Sequence, residues 1–418
     1  MSLRRNTLWN LLGSGLPLLA AALFIPYCLN QLGSEAFGVL TLIWALIGYF
    51  SLFDLGVGRA LTYEIGRRQL SKASDDMPAV VRSGLALTLL AGIVGALVMY
   101  CLAPYLAGSW LKITPSLAPD TRLAFEVAAV GVIFTTLGSG LRGAQEGLNQ
   151  FKIASLNKAI LGFFTFALPA LSIYVHGPNL YPIVMYLVAA RVIMAIITLF
   201  QLRHYVFFKG LHPIAKHIRS LYSFGVWVTI SGIIGPLMVY GDRFFVSAAI
   251  GAALLPLYAI PQEGLQRLLL IPGSFCAALL PKLAGLPMDE RMALYRKSHR
   301  HVMLIMLVVC LASTTLAYPI LSIWLSPEFA TDSLAIVCIL AVGIWLNAIA
   351  FVPYTFLHAN GSTKLTAIFH LIELVIYIAA LYYLVEAYGL IGAALAWVLR
   401  VGVDLVLLEW AIRKVKPV

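Results

Sequence analysis

Long apolar runs, separated by short polar or Gly- and Pro-containing breaks, occupy most of the chain. Each run is long enough for a membrane-spanning helix, which needs roughly 20 apolar residues. No run alternates between apolar and polar residues with a period of two, so the pattern predicts helices and excludes a transmembrane β-barrel. The predicted spans are 8–30, 37–58, 79–106, 122–143, 153–175, 181–202, 221–249, 254–284, 301–324, 333–357, 364–385 and 389–412.

Composition supports the same class of protein. Hydrophobic residues make up 61% of the 418 positions and charged residues only 11%, whereas soluble chains average about 45–50% and about 25%. That apolar excess cannot be enclosed in one water-soluble core, so much of the surface must face lipid. Twelve predicted spans leave only short connecting segments and no soluble catalytic domain, and we therefore expect a protein that is not an enzyme and has no catalytic residues.

Positive charge predicts the orientation. With both termini cytoplasmic, 21 of the 29 Lys and Arg residues lie in cytoplasmic segments, and only Lys112 and Arg122 lie in segments on the opposite side. Cytoplasmic loops of membrane proteins are enriched in Lys and Arg. The net charge of +11 is therefore explained by topology, and we expect no nucleic-acid partner.

A weak internal repeat predicts two halves. Leu187–Val192 in span six resembles Ala396–Val401 in span twelve, and a basic segment, 203–220, lies between spans six and seven. We therefore predict an N-terminal six-helix bundle (1–202), a cytoplasmic linker (203–220) and a C-terminal six-helix bundle (221–418). Transporters built from two such halves place the substrate between them, near the midplane.

Several charged residues fall inside the predicted spans, where a charge costs roughly 2.5–3.5 kcal/mol on insertion scales. Arg191 and Arg400 lie near the middle of their spans, whereas Lys158 lies near a cytoplasmic end, from which its side chain can reach the interface. Arg400 with Asp404, and Glu263 with Arg267, have the i,i+4 spacing of an ion pair. Each pair is interpreted either as a structural ion pair or as the lining of a polar cavity.

Further acids also lie in apolar runs. The side chains of Asp242 and Arg243 point about 100° apart on a helix, so they cannot simply neutralise each other, and we expect one of them to face a wet interior. Asp54 and Glu373 could each carry a proton if desolvated, or could pair with a neighbouring helix.

Motifs for ATP-driven pumps and metal sites are absent from the sequence. It contains no G-x-x-x-x-G-K-[ST] loop, no H-E-x-x-H and no EF-hand loop. Gly138–Gly143 matches G-x-G-x-x-G but follows an apolar run rather than a strand, so we predict close helix packing there. We expect no cofactor and no metal site, and energy, if it is needed, must come from an ion gradient or from consumption of the product on the far side.

Five segments, in this order on the predicted spans, carry a resemblance to a known family. The sequence resembles the polysaccharide transporters of the MOP flippase superfamily, the Wzx-type flippases of lipid-linked oligosaccharides and O-antigen. The resemblance implies an all-α membrane protein of the MATE-like fold, with 12 transmembrane helices in two pseudo-symmetric bundles around a central cavity. The segments are Leu32–Gly38, Phe53–Leu61, Asp242-Arg243 with Ile250-Gly251 and Tyr258, Pro281–Leu283 and Asn360–Lys364.

Function, partners and site residues follow as implications of that resemblance. Such a protein moves an undecaprenyl-diphosphate-linked oligosaccharide across the bacterial cytoplasmic membrane by alternating access, with possible coupling to a H⁺ or Na⁺ gradient. Membrane lipids, a polysaccharide polymerase and a chain-length regulator are further expected partners. The ion-coupling candidates are Asp242, Glu373 and Asp404, and the candidates for the substrate cavity are Asp54, Arg59, Arg191, Asp242, Arg243, Glu263, Arg267 and Arg400.

Three alternatives remain open. A multidrug exporter of the same superfamily would line its cavity mainly with acids and aromatics, whereas Arg predominates among the candidates here. A major-facilitator transporter would show a Gly-x-x-x-Asp element before Gly66-Arg67-Arg68, and that element is missing. A membrane glycosyltransferase or polymerase would present a sizeable catalytic outer loop, which this chain lacks.

Overall fold

The computed structural model describes residues 3–50, 56–70, 76–207, 238 and 240–414. These residues are almost entirely helical, as the apolar runs predict. The helices are α1 (Leu3–Phe50), α2 (Val57–Leu70), α3 (Met77–Tyr105, followed by a π turn over Leu106–Trp110), α4 (Ala118–Gly147), α5 (Phe151–His176), α6 (Leu180–Gln201), α7 (Arg203–Val206), α8 (240–250), α9 (Leu255–Gln266), a 3₁₀ turn (Arg267–Leu269), α10 (Leu270–Gly285), α11 (Met288–Trp324), α12 (Pro327–Ala359) and α13 (Thr363–Lys414).

Eight helices within the described ranges are long and apolar enough to cross a membrane. Large apolar side chains on them lie exposed, among them Leu23 (70%), Val375 (70%) and Ile323 (87%). Such exposure on apolar helices indicates contact with lipid rather than water. The chain is a multi-pass membrane protein, and the predicted number of twelve spans stays a prediction.

Two long helices each contain two predicted spans. α1 includes span 8–30 and most of span 37–58, and its backbone leaves helical geometry at Gly33 (φ 74°). α13 includes spans 364–385 and 389–412, and its backbone leaves helical geometry at Gly389 (φ 58°). Glycine alone adopts such positive φ values at no steric cost. The predicted breaks are therefore single-residue kinks within the helices.

Two segments predicted as loops are helical. α2 occupies much of the segment after span two, and a Glu64–Arg68 ion pair of 3.0 Å reinforces it. α11 begins at Met288, well before the predicted start at 301, with Asp289 and Glu290 in its first turn. Acidic side chains in the first turn stabilise a helix because they interact favourably with the positive end of its dipole. Hydropathy misses both segments because their residues are polar.

The chain divides into two compact units, Met1–Tyr240 and Gly241–Val418. Most of the predicted linker, 203–220, and the start of the predicted span 221–249 lie outside the described residues, so the predicted boundaries between bundle, linker and bundle stay a prediction.

Small residues pack the helices of the first unit. A Cβ on Gly143 of α4 would meet the backbone of Gly58 on α2, and a Cβ on Gly140 would meet Thr88 on α3. Thr62 donates a hydrogen bond of 3.0 Å to the carbonyl of Gly143 across this contact. The predicted close packing is confirmed for these two glycines but is wrong for Gly138, because a Cβ there would meet nothing within 4 Å.

The second unit is built around α12, which packs against α11 and α13. Trp397 of α13 is fully buried, and its ring lies so close to Gly343 of α12 that no Cβ would fit there. The packing of this unit therefore fixes α13, which carries several of the candidate residues.

Candidate functional site

Seven of the predicted site residues have described side chains in the second unit, and one, Arg191, has its side chain described in the first. Asp54 lies outside the described residues. Arg59 lies on α2, but its side chain is also outside the described set. Neither residue enters the geometry below, and both predictions stand untested.

Asp242 forms the centre of a buried hydrogen-bond network. Its Oδ2 accepts hydrogen bonds from the hydroxyl of Tyr258 (2.6 Å), the amide of Gln262 (2.9 Å) and the hydroxyl of Tyr377 (3.0 Å). The side chain is 1% exposed. Three donors on one oxygen stabilise the carboxylate and fix its position between α8, α9 and α13.

Arg243 turns away from its neighbour and joins a second group. Its Nη2 donates to Oε2 of Glu263 at 2.8 Å, and its Nε lies 3.3 Å from the amide oxygen of Gln262. Glu263 also pairs through its other oxygen with Arg267. Two guanidinium groups thus share one carboxylate, and this arginine triad (Arg243, Glu263 and Arg267) carries one surplus positive charge.

The triad joins a buried residue to an accessible one. The side chain of Arg243 is 6% exposed, whereas those of Glu263 and Arg267 are 36% and 48% exposed. The different partners of Asp242 and Arg243 agree with the expectation that the two side chains do not simply neutralise each other. Both are buried, however, and Arg267 is the residue of the triad that is most open.

The sequence of α9 explains why these groups meet. Tyr258 and Gln262 are four residues apart, as are Glu263 and Arg267, so each pair shares a helix face. Pro256 lies in the first turn of the helix, where its missing N–H is tolerated because no hydrogen bond is needed there. The turn before the helix contains Gly251 with a positive φ of 103°. The predicted Glu263–Arg267 ion pair is confirmed.

A second cluster lies on α13. Glu373 is fully buried, and its two oxygens lie 3.3 Å from Nδ1 of His370 and 3.6 Å from Nε of Arg400. Asp404 is 8% exposed. One ligand atom from each of His370, Glu373 and Asp404 lies within 4.8 Å of the others. We name these three residues, together with Arg400, the acidic cluster.

The Arg400–Asp404 ion pair, one of the two interpretations of this i,i+4 spacing, is not formed. Among the described residues, the carboxylate that pairs with Arg400 is Glu373, on the other half of the kinked helix α13. The kink at Gly389 makes this possible, because it separates the helical segment of Glu373 from that of Arg400. A pair between distant turns cannot be inferred from the i,i+4 spacing.

The carboxylates of the acidic cluster have few hydrogen-bond partners among the described residues. Both carboxylate oxygens of Glu373 and Oδ1 of Asp404 lack a hydrogen-bond partner within the described part of the chain. With His370 neutral, two carboxylates and one guanidinium leave a net negative charge. Carboxylate oxygens are the ligands that hard cations prefer, so the arrangement suits a proton or a small cation.

Sequence reasoning missed Tyr377 and His370. The hydroxyl of Tyr377 reaches Asp242, and its ring lies 5.9 Å from the guanidinium carbon of Arg400. It therefore connects the Asp242 network to the acidic cluster. His370 lies three residues before Glu373 on the same face, a spacing that could have indicated it.

The remaining candidate, Arg191, lies on α6 in the first unit and is 6% exposed. It lines a cavity of about 280 Å³ between α1, α4, α5 and α6, together with Arg142 and Lys158. Arg191 therefore belongs to the first unit, whereas the other candidates with described side chains belong to the second.

Comparison with known proteins supports a transporter. Over 414 residues the chain is 32% identical to the "Putative O-antigen transporter" of Shigella flexneri. The match covers 98% of this chain and 97% of that protein. It is 23% identical over 347 residues to the uncharacterized membrane protein EpsK of Bacillus subtilis (strain 168), covering 78% of this chain and 66% of that protein.

Solved structures show the fold. An inward-facing multidrug resistance MATE family transporter of the MOP superfamily matches with a TM-score of 0.82 at 16% identity, over 96% of this chain and 94% of that one. A MOP superfamily transporter from Pyrococcus furiosus, reported with a binding pocket of reverse polarity, matches with a TM-score of 0.70 at 15% identity, over 98% and 94%. At this identity the likeness concerns the fold alone.

A family model described as polysaccharide biosynthesis protein matches residues 3–286, well over half of the chain. Together with the full-length relative from Shigella flexneri, this match decides the family. The chain belongs to the polysaccharide biosynthesis protein family and has the fold of the MATE transporters of the MOP superfamily.

Proposed function

We propose that this protein is a flippase for undecaprenyl-diphosphate-linked oligosaccharides in the bacterial cytoplasmic membrane, with both termini in the cytoplasm. It moves the repeat unit from the inner to the outer leaflet by alternating access, and it serves the biosynthesis of O-antigen, capsule or exopolysaccharide. The relative from Shigella flexneri, named as an O-antigen transporter, supports this substrate class. The polymerase and chain-length regulator of the same pathway are the proposed partners.

The arginine triad is the observation that carries the proposal. A diphosphate crossing a bilayer must exchange its hydration shell for fixed cations, because a charge in lipid is costly. Arg267 offers an exposed guanidinium whose ion-pair partner among the described residues is Glu263 alone. Guanidinium groups bind phosphate oxygens in a bidentate manner. The surplus positive charge of the triad therefore suits the diphosphate or an acidic sugar.

The acidic cluster supports coupling to a H⁺ or Na⁺ gradient. With His370 neutral, the cluster has a buried net negative charge, and a bound proton or cation would neutralise it. Tyr377 links this cluster to Asp242, which lies one residue from Arg243 of the triad. Binding of an ion at Glu373 and Asp404 would thus alter a hydrogen bond next to the proposed diphosphate site.

Alanine substitution of the triad tests the proposal. We expect Arg267→Ala and Arg243→Ala each to reduce translocation at least tenfold, since a hydrogen bond to a charged group contributes about 1.5–3 kcal/mol and 1.4 kcal/mol corresponds to tenfold. The measurement is quenching of a fluorescently labelled undecaprenyl-diphosphate oligosaccharide in proteoliposomes, with surface polysaccharide measured in cells at equal protein levels.

Two further variants serve as controls. Arg267→Lys keeps the charge but loses the bidentate geometry, so we expect an intermediate rate. Arg296→Ala removes an exposed arginine of the same unit that lies outside the triad, and its rate should equal that of the wild type. Wild-type rates in both alanine variants of the triad would remove these arginines from the substrate path.

A further inference from the structure

The cavity in the first unit has an unusual charge balance. Its volume is about 280 Å³, and α4, α5 and α6 provide most of its wall. Three cationic side chains line it, and no carboxylate of the described residues does, although one of the cations, Arg142, lies 3.9 Å from Glu146 outside the lining. The lining residues are Ile47, Phe134, Thr135, Gly138, Ser139, Arg142, Gln145, Ala154, Asn157, Lys158, Leu161, Gly162, Thr165, Arg191, Met194, Ala195 and Thr198. We call it the cationic pocket.

Arg191 is the buried charge of this pocket. Only 6% of it is exposed, and its Nη1 donates one hydrogen bond of 2.8 Å to the carbonyl of Leu187, one turn earlier on α6. Within the described ranges, no carboxylate lies within the 4.0 Å of an ion pair to it. A guanidinium has five N–H donors, so most of its capacity is available to a ligand.

The other mid-span arginines are neutralised by the protein itself. Arg243 pairs with Glu263, and Arg400 pairs with Glu373. A buried charge without a partner is strongly unfavourable. Among the described residues, the wall around Arg191 supplies no acid, so a bound anion would supply the compensating negative charge.

Polar side chains line the same pocket in a fixed arrangement. The amide oxygen of Gln201 accepts hydrogen bonds of 2.8 Å from both Asn157 and Gln145, which joins α4, α5 and α6. Asn157 also lies 3.3 Å from the hydroxyl of Thr198. A network of this kind holds the wall in place, so a ligand would meet a preorganised polar surface.

Gly138 keeps the pocket open. It lines the cavity, and a Cβ built on it would meet nothing within 4 Å. Its neighbour Gly140, by contrast, packs against Thr88. The absence of a side chain at position 138 therefore leaves space that helix packing does not use.

We infer that the cationic pocket binds an oxyanion, a carboxylate or a phosphate, through Arg191 with Lys158 and Arg142. Arg191 supplies the bidentate contact and Lys158 a point charge. The anion is either a free ion or part of a lipid-borne molecule such as the transported substrate. Binding at this pocket does not depend on the proposed function, because the pocket can be tested without any transport measurement.

Thermal unfolding of the purified full-length protein in detergent tests the inference. The probes are inorganic phosphate, sodium glucuronate, dodecyl phosphate as a lipid-borne phosphate, and glucose as an uncharged control, all at constant sodium concentration. A ligand that binds only the folded state raises the melting temperature. We expect a rise with at least one anionic probe and none with glucose.

Variants assign that rise to the pocket. Arg191→Gln should weaken anion binding at least tenfold, and Arg191→Lys should retain a measurable rise in melting temperature with anions. Asn157→Asp places a carboxylate on the wall, so it should raise the melting temperature without ligand and abolish the response to anions. Arg122→Gln is the matched control, because Arg122 is an exposed arginine of α4 paired with Glu126 and lies outside the cavity, and it should respond like the wild type.

The pattern of probes distinguishes the two sources of the anion. A response to inorganic phosphate or glucuronate indicates a site for free anions, and a response to dodecyl phosphate alone indicates a lipid-borne ligand. The inference is overturned if no anionic probe raises the melting temperature, or if Arg191→Gln and Asn157→Asp respond as the wild type does.

Discussion

Arg191 and Arg400 occupy comparable positions in the last apolar span of each predicted half but have opposite surroundings. Arg400 lies beside Glu373, with His370 and Asp404 completing an acidic cluster. Arg191 lies in a pocket lined by two further cations and by amides, with no acid on the wall. Similar sequence segments around the two arginines thus carry one site suited to cations and one suited to anions.

The difference shows that the neighbouring helices decide what a buried arginine does. In the second unit, the other half of α13 contributes the compensating carboxylate. In the first unit, α4 and α5 contribute Gln145, Asn157 and Lys158 instead. On the inference above, an arginine paired within the protein is structural or coupled to ions, whereas Arg191, which has no carboxylate partner among the described residues, is available to a ligand.

Matched substitutions of the two arginines should give opposite changes in stability. Arg400→Met leaves Glu373 and Asp404 without their cation, and breaking a buried pair in this way costs about 3–5 kcal/mol. Arg191→Met removes a charge that has no carboxylate partner among the described residues, so the free energy of unfolding should stay equal or rise. Denaturant unfolding of both variants measures the difference, and equal destabilisation would contradict the distinction between the two sites.

A conservative change in the acidic cluster should remove gradient dependence. Glu373→Gln keeps the shape of the side chain but cannot gain or lose a proton, so we expect at least a tenfold loss of gradient-driven translocation, equivalent to about 1.4 kcal/mol. The measurement is translocation in proteoliposomes with and without an imposed H⁺ or Na⁺ gradient.

The control for this prediction is Arg191→Gln in the other unit, which should still respond to the gradient whatever its rate. If collapsing the gradient leaves the wild-type rate unchanged, the acidic cluster is not a coupling site and movement is passive.

Glycine substitutions should give the smallest effects, again of opposite sign. Gly138→Ala adds a methyl group to open space within α4, and replacing a mid-helix Gly by Ala stabilises by about 0.5–1 kcal/mol. Gly343→Ala places the same methyl group against the ring of Trp397 and should destabilise the second unit. Melting temperatures of both variants test this, and a loss of stability in Gly138→Ala would show that the pocket is closed.

The apolar runs predicted the helices well because a bilayer demands long apolar segments. They did not predict α2 or the first turns of α11, whose residues are polar, and they could not show that Gly33 and Gly389 are kinks. The Glu263–Arg267 pair followed from helical spacing alone. Arg400–Glu373 and Tyr377–Asp242 did not, since contacts between distant segments depend on packing that the spacing of residues does not encode.

Short connections between helices have a consequence for how this protein can change. The longest helix-free stretch among the described residues is 111–117, and most others are two to four residues long. Many proteins acquire new binding preferences by varying their loops while the scaffold stays constant. The described part of the chain has little loop to vary, so under the proposed function adaptation to a different sugar would have to proceed through substitutions on the helices themselves, each constrained by its neighbours in the core.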